Sequence, residues 1–75
     1  MKYYIYESNR DYGVMVCTPA TRPTGIKEIA TIVASDPRGA VVRWLEQQGK
    51  RAKYVSAEET RLGVWLVDYD LLDNK

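Results

Sequence analysis

The sequence predicts an α+β fold in which one helix packs on one face of a mostly antiparallel, five-stranded sheet. Three observations support this prediction: one segment has helical spacing and marked ends, strand-like segments lie on both sides of it, and the connections are short. The predicted element order is β-β-β-α-β-β. A chain of 75 residues is expected to form a single domain, 1–75.

The helix is predicted within residues 35–50. Asp36 is a suitable N-cap, because its carboxylate can accept a hydrogen bond from a free backbone N–H of the first turn. Pro37 follows at the first helical position, where its missing N–H has no cost, and Gly49 can adopt the left-handed conformation that ends a helix. The face expected to be buried consists of residues at helical spacing: Ala40, Val41, Trp44, Leu45 and Gln48.

Two strands are predicted before the helix, and together they form a hairpin. Residues 2–7 are rich in tyrosine, with Tyr4 and Tyr6 on the same face, and residues 12–18 follow a polar turn. Residues 19–25 contain two prolines and a glycine, which predicts an irregular connection.

The residue pattern of the remaining segments, on either side of the helix, separates strand from helix less clearly. Residues 27–34 are too few to separate strand from helix by period, although their β-branched content favours a strand. Residues 52–56 and 63–69 are predicted strands. Between them, Ser56 and Glu59 have the spacing of a capping box, so a short helical turn and a charged hairpin loop are both open. A turn at residues 71–72 and a frayed end at residues 73–75 complete the prediction.

Composition argues against several classes of protein. The net charge of +1 lacks the basic excess of a duplex-binding module. The sequence has no apolar run near 18 residues and no signal-peptide pattern, so we expect no membrane span and no secretion. Cys17 is the single cysteine and cannot form an internal disulfide, which favours the reducing cytoplasm.

The residue types also argue against catalysis. The sequence has no histidine, the usual general base near neutral pH, and therefore no imidazole that could activate Cys17. Asp68, Asp70 and Asp73 could hold a hard cation in principle, but a solvated acidic strand end has the same pattern. We therefore expect a non-enzymatic protein without a cofactor or metal.

Protein binding is the function that the aromatic pattern favours. One helix covers one sheet face, so some tyrosines of the first strand are expected to face solvent, where tyrosine often anchors an interface. The alternatives are that these rings cover the open sheet face or form a homodimer. The predicted partner-binding residues are Tyr4, Tyr6, Tyr12, Arg38 and Arg43.

Nucleic-acid binding is a second, less favoured interpretation. An aromatic ring among cations can stack on a base. The competing interpretation is that these cations complement the negative end of the helix and solvate its surroundings. The residues concerned are Lys50, Arg51, Lys53 and Tyr54.

The pattern of residues 26–57 resembles that of very small phage proteins. A strand ending in Ala-Ser-Asp-Pro (34–37), a helix carrying Ala-Val-Val-Arg-Trp-Leu (40–45) and a strand with Lys-Tyr-Val (53–55) are similar to compact anti-CRISPR proteins and phage inhibitors of host RNA polymerase. This resemblance implies an inhibitor, acting in the host cytoplasm, that occludes a surface of a larger host protein or ribonucleoprotein complex. It assigns no functional residue.

The layout is also similar to that of HicB-type antitoxin domains, which begin with a strand pair followed by a helix. Residues 19–25 correspond loosely to the Pro-Gly-rich segment of that family. This second resemblance implies an antitoxin or a small RNA-binding module as the alternative function.

Overall fold

A computed structural model of the protein describes residues 1–72. The predicted frayed end at residues 73–75 lies outside this range. The described strands form one antiparallel sheet in the order β3-β1-β2-β5-β4, with one helix, so the predicted α+β fold and element order are confirmed. The elements are β1 (Lys2–Glu7), β2 (Gly13–Cys17), a 3-10 turn (Pro19–Thr21), β3 (Glu28–Val33), α1 (Pro37–Gln47), β4 (Ala52–Arg61) and β5 (Val64–Leu71).

The helix connects the two edge strands of the sheet. β3 lies at one edge beside β1, and β4 lies at the other edge beside β5. The chain therefore crosses one face of the sheet between these edges, and we call this the helix face and the opposite side the second face. Within residues 1–72, no helix is long and apolar enough to cross a membrane.

Helix α1 begins as the local signals predict. The Asp36 carboxylate accepts a hydrogen bond from the backbone N–H of Gly39 at 2.6 Å, and Pro37 is the first helical residue. Gly49 has a φ of +76°, in the left-handed region where glycine is favoured, and it follows the last turn. The sequence therefore determines both ends of this helix locally.

The buried face of α1 is narrower than predicted. Ala40, Val41 and Leu45 are buried, and Trp44 is half-buried. The inclusion of Gln48 in this face is wrong, because its side chain is exposed and donates a hydrogen bond to the carbonyl of Trp44 at 3.2 Å. Gln48 lies beyond the last helical residue, where the helical period no longer sets its direction.

Pairing with neighbouring strands decides the segments that the sequence left open. Residues 28–33 form a strand because they pair antiparallel with β1. Both alternatives for residues 56–63 are wrong, since β4 continues to Arg61 and only Leu62 and Gly63 form the turn. Leu71, predicted to lie in a turn, is the last residue of β5.

The main core lies between α1 and the helix face. Every strand contributes buried side chains to this core, and the most deeply buried have no exposed surface. Burying a valine, leucine or isoleucine side chain contributes roughly 1.5–3 kcal/mol. The fully buried members are Ile5, Val16, Ala40, Val41, Leu45 and Val67.

A smaller core lies on the second face. Tyr6, Cys17 and Val64 are buried there, although α1 covers only the opposite face. The segment after β2 folds back over it: the Thr21 hydroxyl donates to the carbonyl of Gly63 at 2.7 Å. The loop between β2 and β3 therefore shields part of the second face from solvent, as α1 shields the helix face.

Candidate partner-binding surface

The tyrosines of β1 are not presented to solvent as predicted. Tyr6 is 2% exposed, so the expectation that it faces solvent is wrong, and Tyr4 is half-buried. Arg22 from the β2–β3 loop covers both: its guanidinium lies 4.1 Å from the centroid of the Tyr4 ring, and its Nε donates to the Tyr6 hydroxyl at 3.5 Å. The predicted partner-binding role of Tyr6 therefore lacks an accessible ring.

Arg22 is held in this position from a second side. It donates to a carboxylate oxygen of Glu28 at 3.0 Å, and the Thr31 hydroxyl donates to the other oxygen at 2.8 Å. The hydrogen bond with Tyr6 raises the pKa of Arg22 above its usual range, so the guanidinium stays charged. No local pattern in the sequence predicts this contact, because Arg22 lies in an irregular segment and Tyr4 and Tyr6 lie in a distant strand.

Three aromatic rings form a continuous row on the helix face, and we call Trp44, Tyr69 and Tyr12 the aromatic row. Trp44 and Tyr69 meet edge to face with centroids 6.2 Å apart, and Tyr69 and Tyr12 do the same at 6.0 Å. This geometry is favourable for aromatic pairs. Trp44 and Tyr69 are half-buried, whereas Tyr12 is 58% exposed. The row thus extends from the helix to a solvent-facing tyrosine.

The turn before β2 fixes the outer end of this row. Arg10 of the turn pairs with Asp68 of β5 at 2.6 Å, and the Ser8 hydroxyl donates to the carbonyl of Gly13 at 2.9 Å. A side chain at Gly13 would lie 2.7 Å from a carboxylate oxygen of Asp68, so glycine allows the turn to approach β5. These contacts limit the movement of Tyr12.

Tyr69 is the electrostatically altered member of the row. Its partial burial raises the pKa of its phenol above the ordinary value of 10.0, and the neighbouring Tyr12 acts in the same direction. Tyr69 therefore stays neutral under physiological conditions and keeps its hydroxyl proton as a hydrogen-bond donor.

The cationic residues predicted to contact a partner divide between two places. Arg38 lines a groove between α1 and β4, together with Lys53 and Tyr54, and we call this the α1–β4 groove. It is an open depression of about 590 Å³, and Tyr54 is 60% exposed at its side. Arg43 is exposed elsewhere on the helix.

The α1–β4 groove has mixed charge. Asp36, the N-cap of α1, lines the same depression as Arg38 and Lys53. Lys50 and Arg51 are exposed in the connection between α1 and β4 but do not line the groove. Three of the predicted contact residues are therefore brought together, and a carboxylate offsets part of their charge.

The predicted partner-binding residues do not form one surface. Tyr4 and Tyr6 lie on the second face, whereas Tyr12 belongs to the aromatic row on the helix face. Sequence reasoning missed Tyr69 as the neighbour of Tyr12, because the pairing of β2 with β5 joins segments that are distant in the chain. The one available signal was the placement of Tyr69 on the same face of its strand as Trp65.

Asp68 and Asp70, the described members of the predicted acidic group, do not gather around a common point. Asp68 is engaged by Arg10, and the Asp70 carboxylate accepts from the N–H of Leu71 at 3.1 Å. Across residues 1–72 there is no group of three or more His, Cys, Asp or Glu side chains that could hold a metal ion. Asp73, the third residue of the predicted acidic group, lies outside the described residues.

Comparison of the chain with protein-family models, curated proteins and solved structures gives no match.

Proposed function

We propose that this protein is a small, non-catalytic binding protein that attaches to a larger protein or ribonucleoprotein complex and occludes part of its surface. The observation that carries this proposal is the exposed ring of Tyr12 at the outer end of the aromatic row. Tyrosine, tryptophan and arginine are the side chains that most often dominate binding energy at protein interfaces.

The anchoring of Tyr12 supports this role. Ordering a mobile side chain on binding costs about 0.5–1.5 kcal/mol. The ring of Tyr12 already packs against Tyr69, and its backbone carbonyl accepts from the N–H of Tyr69 at 2.9 Å. Much of the ordering cost is therefore met in the unbound protein, which favours recognition of a preformed pocket.

An inhibitor of a host defence complex is the specific form of this function that we propose. It rests on the resemblance of residues 26–57 to small phage inhibitors, and it places the protein in the cytoplasm of the phage host. Inhibition by occlusion requires a stable surface and no reacting group. A chain of 8.6 kDa can supply such a surface.

Affinity capture from the source cell tests the proposal. Wild-type protein, Tyr12→Ala and the control Tyr54→Ala should be compared, since the two tyrosines are similarly exposed at 58% and 60%. Wild-type protein and the control should retain the same host complex, and Tyr12→Ala should lose it. Equal recovery of the host complex by all three proteins would show that Tyr12 is not part of the binding surface.

Binding of single-stranded RNA is a second candidate, favoured by the α1–β4 groove. Tyr54 could stack on a base while Arg38 and Lys53 contact phosphates. A salt-dependent gel shift with short single-stranded RNA tests it, and Tyr54→Ala should weaken the shift while Tyr12→Ala leaves it unchanged. Absence of a shift at low salt would dispose of this candidate.

A further inference from the structure

The two edge strands of the sheet differ in the charged side chains that they carry. β3 has no charged side chain between Glu28 and Asp36, and its exposed residues include Ile29 and Val33. Natural edge strands commonly carry charges that discourage pairing with another chain. β4 has this protection, and its exposed charged residues are Lys53, Glu58, Glu59 and Arg61.

The backbone groups on the outer side of β3 follow from its pairing with β1. Ala34 and Met1 exchange two hydrogen bonds, at 3.0 and 3.1 Å. Because the direction of these groups alternates along a strand, Ile32 also faces β1, whereas the N–H and C=O groups of Thr31 and Val33 point away from the sheet. Within residues 1–72, no strand pairs with this side of β3.

We propose that a second copy of this chain pairs antiparallel with β3, so that two sheets join about a two-fold axis at Thr31. In this register, Thr31 lies opposite Thr31 of the second copy, and Val33 lies opposite Ile29. The outward N–H and C=O groups of the two Thr31 residues meet donor to acceptor. The exposed apolar side chains of Val33 and Ile29 become cross-strand neighbours, with Ile29 at the register shift in the pairing of β3 with β1. The interface is thus self-complementary, as a two-fold dimer requires.

Charge disfavours one of the two neighbouring registers. A register centred on Ile32 would place Glu28 opposite Asp36 of the second copy, and like charges directly opposite each other are destabilising. Centring on Thr31 places Glu28 opposite Ala34 instead. Arg22 already pairs with Glu28 at 3.0 Å, so the charge of Glu28 is compensated at the dimer interface.

The proposed dimer is independent of the partner-binding proposal. The row ending at Tyr12 lies over β5 and the turn before β2, whereas β3 is separated from β2 by β1. Strand addition at β3 would leave this row accessible. A dimer would therefore present two copies of the row, and its existence can be tested without a host partner.

Cysteine cross-linking tests the register. Residues opposite each other in a hydrogen-bonded antiparallel pair have Cα atoms about 5.5 Å apart, within the range of a disulfide. Thr31→Cys should form a covalent dimer under mild oxidation, while the matched variant Glu58→Cys, also exposed and on the opposite edge strand, should stay monomeric. Native Cys17 is fully buried, so wild-type protein is the second control.

Mass measurement by light scattering tests the dimer without a covalent bond. Wild-type protein should show twice the chain mass of 8.6 kDa at high concentration, and Val33→Lys should return it to the single-chain mass. Val33 is 63% exposed, so the lysine leaves the fold intact, which circular dichroism verifies. A single-chain mass for wild-type protein at every concentration, or a dimer that Val33→Lys leaves intact, would overturn the proposal. Equal cross-linking of the Thr31→Cys and Glu58→Cys variants would overturn it too.

Discussion

The backbone N–H of Tyr69 donates to the carbonyl of Tyr12 at 2.9 Å, and their rings meet edge to face with centroids 6.0 Å apart. The hydrogen bond continues the pairing of β2 with β5 by one residue, beyond the pair formed by Gly13 and Asp68. The most exposed ring of the aromatic row is therefore part of the sheet rather than of a free loop.

A double-mutant cycle measures this coupling. Tyr12→Ala, Tyr69→Ala and the double variant should show an interaction energy of about 0.5–1.5 kcal/mol in urea unfolding, the usual contribution of an aromatic pair. The matched cycle of Tyr54→Ala with Tyr69→Ala should give a smaller value, because no ring contact joins those two side chains among the described residues. Additive effects in the first cycle would contradict the contact.

Replacing Gly63 by alanine should destabilise the second face. Gly63 has a φ of +81°, and a Cβ there would lie 2.7 Å from the Thr21 side chain. Gly25→Ala is the matched control, since Gly25 has the same φ with no atom within 4 Å of a new Cβ. We expect about 1–2 kcal/mol for the control from backbone conformation alone. Thermal and urea unfolding should show a larger loss for Gly63→Ala, and equal losses would mean that Thr21 does not pack there.

Comparing a buried leucine with an exposed one distinguishes the effect of core packing on stability from the effect of residue type. Leu45 of α1 is fully buried, whereas Leu62 is 88% exposed at the turn between β4 and β5. Leu45→Ala should therefore lower the free energy of unfolding by about 2–5 kcal/mol. Leu62→Ala should change it by less than about 0.5 kcal/mol. Similar losses for both variants would show that the helix does not pack as described.

Stability should fall at alkaline pH because of Cys17. Burial raises the pKa of this thiol above its ordinary value of 9.0, although the positive charge of Arg61 acts in the opposite direction. The folded state therefore holds the thiol proton more tightly than the unfolded state, so the contribution is complete below pH 9.0 and is lost as the pH rises through the folded pKa.

Urea unfolding of wild-type protein and Cys17→Ala between pH 9.0 and 10.0 checks this effect. The pH range ends at 10.0, the ordinary pKa of tyrosine, because ionisation of Tyr69 should lower the free energy of unfolding further above that pH. The free energy of unfolding should decline more steeply with pH for wild-type protein. Parallel declines for the two proteins would contradict a buried, neutral thiol.

Local signals were enough to predict the helix ends and the order of helix and strands along the chain. Asp36 and Pro37 specify the start of α1 through groups within one turn, and its N-cap hydrogen bond forms as expected. The length of β4 could not be obtained in this way. Ser56 and Glu59 have capping-box spacing, but their pairing with Asp68 and Trp65 of β5 keeps the chain extended.

The surface was harder to predict than the fold, because it depends on contacts between distant segments. Arg22 lies in a loop without a regular pattern, yet it covers Tyr4 and bonds to Tyr6. Tyr12 was predicted to begin the second strand and to contact a partner, and its ring is 58% exposed. Its contact with Tyr69 follows only from the pairing of β2 with β5, which a helix and two strands separate in the chain.

The affinity of Tyr12 variants for the captured host complex tests the central proposal most directly. Calorimetric titration should compare wild-type protein, Tyr12→Ala and the equally exposed control Tyr54→Ala. An anchoring ring contributes about 2 kcal/mol or more, so Tyr12→Ala should weaken binding at least about 30-fold while Tyr54→Ala leaves it unchanged. Unchanged affinity for Tyr12→Ala, in a variant that remains folded by circular dichroism, would contradict binding through the aromatic row.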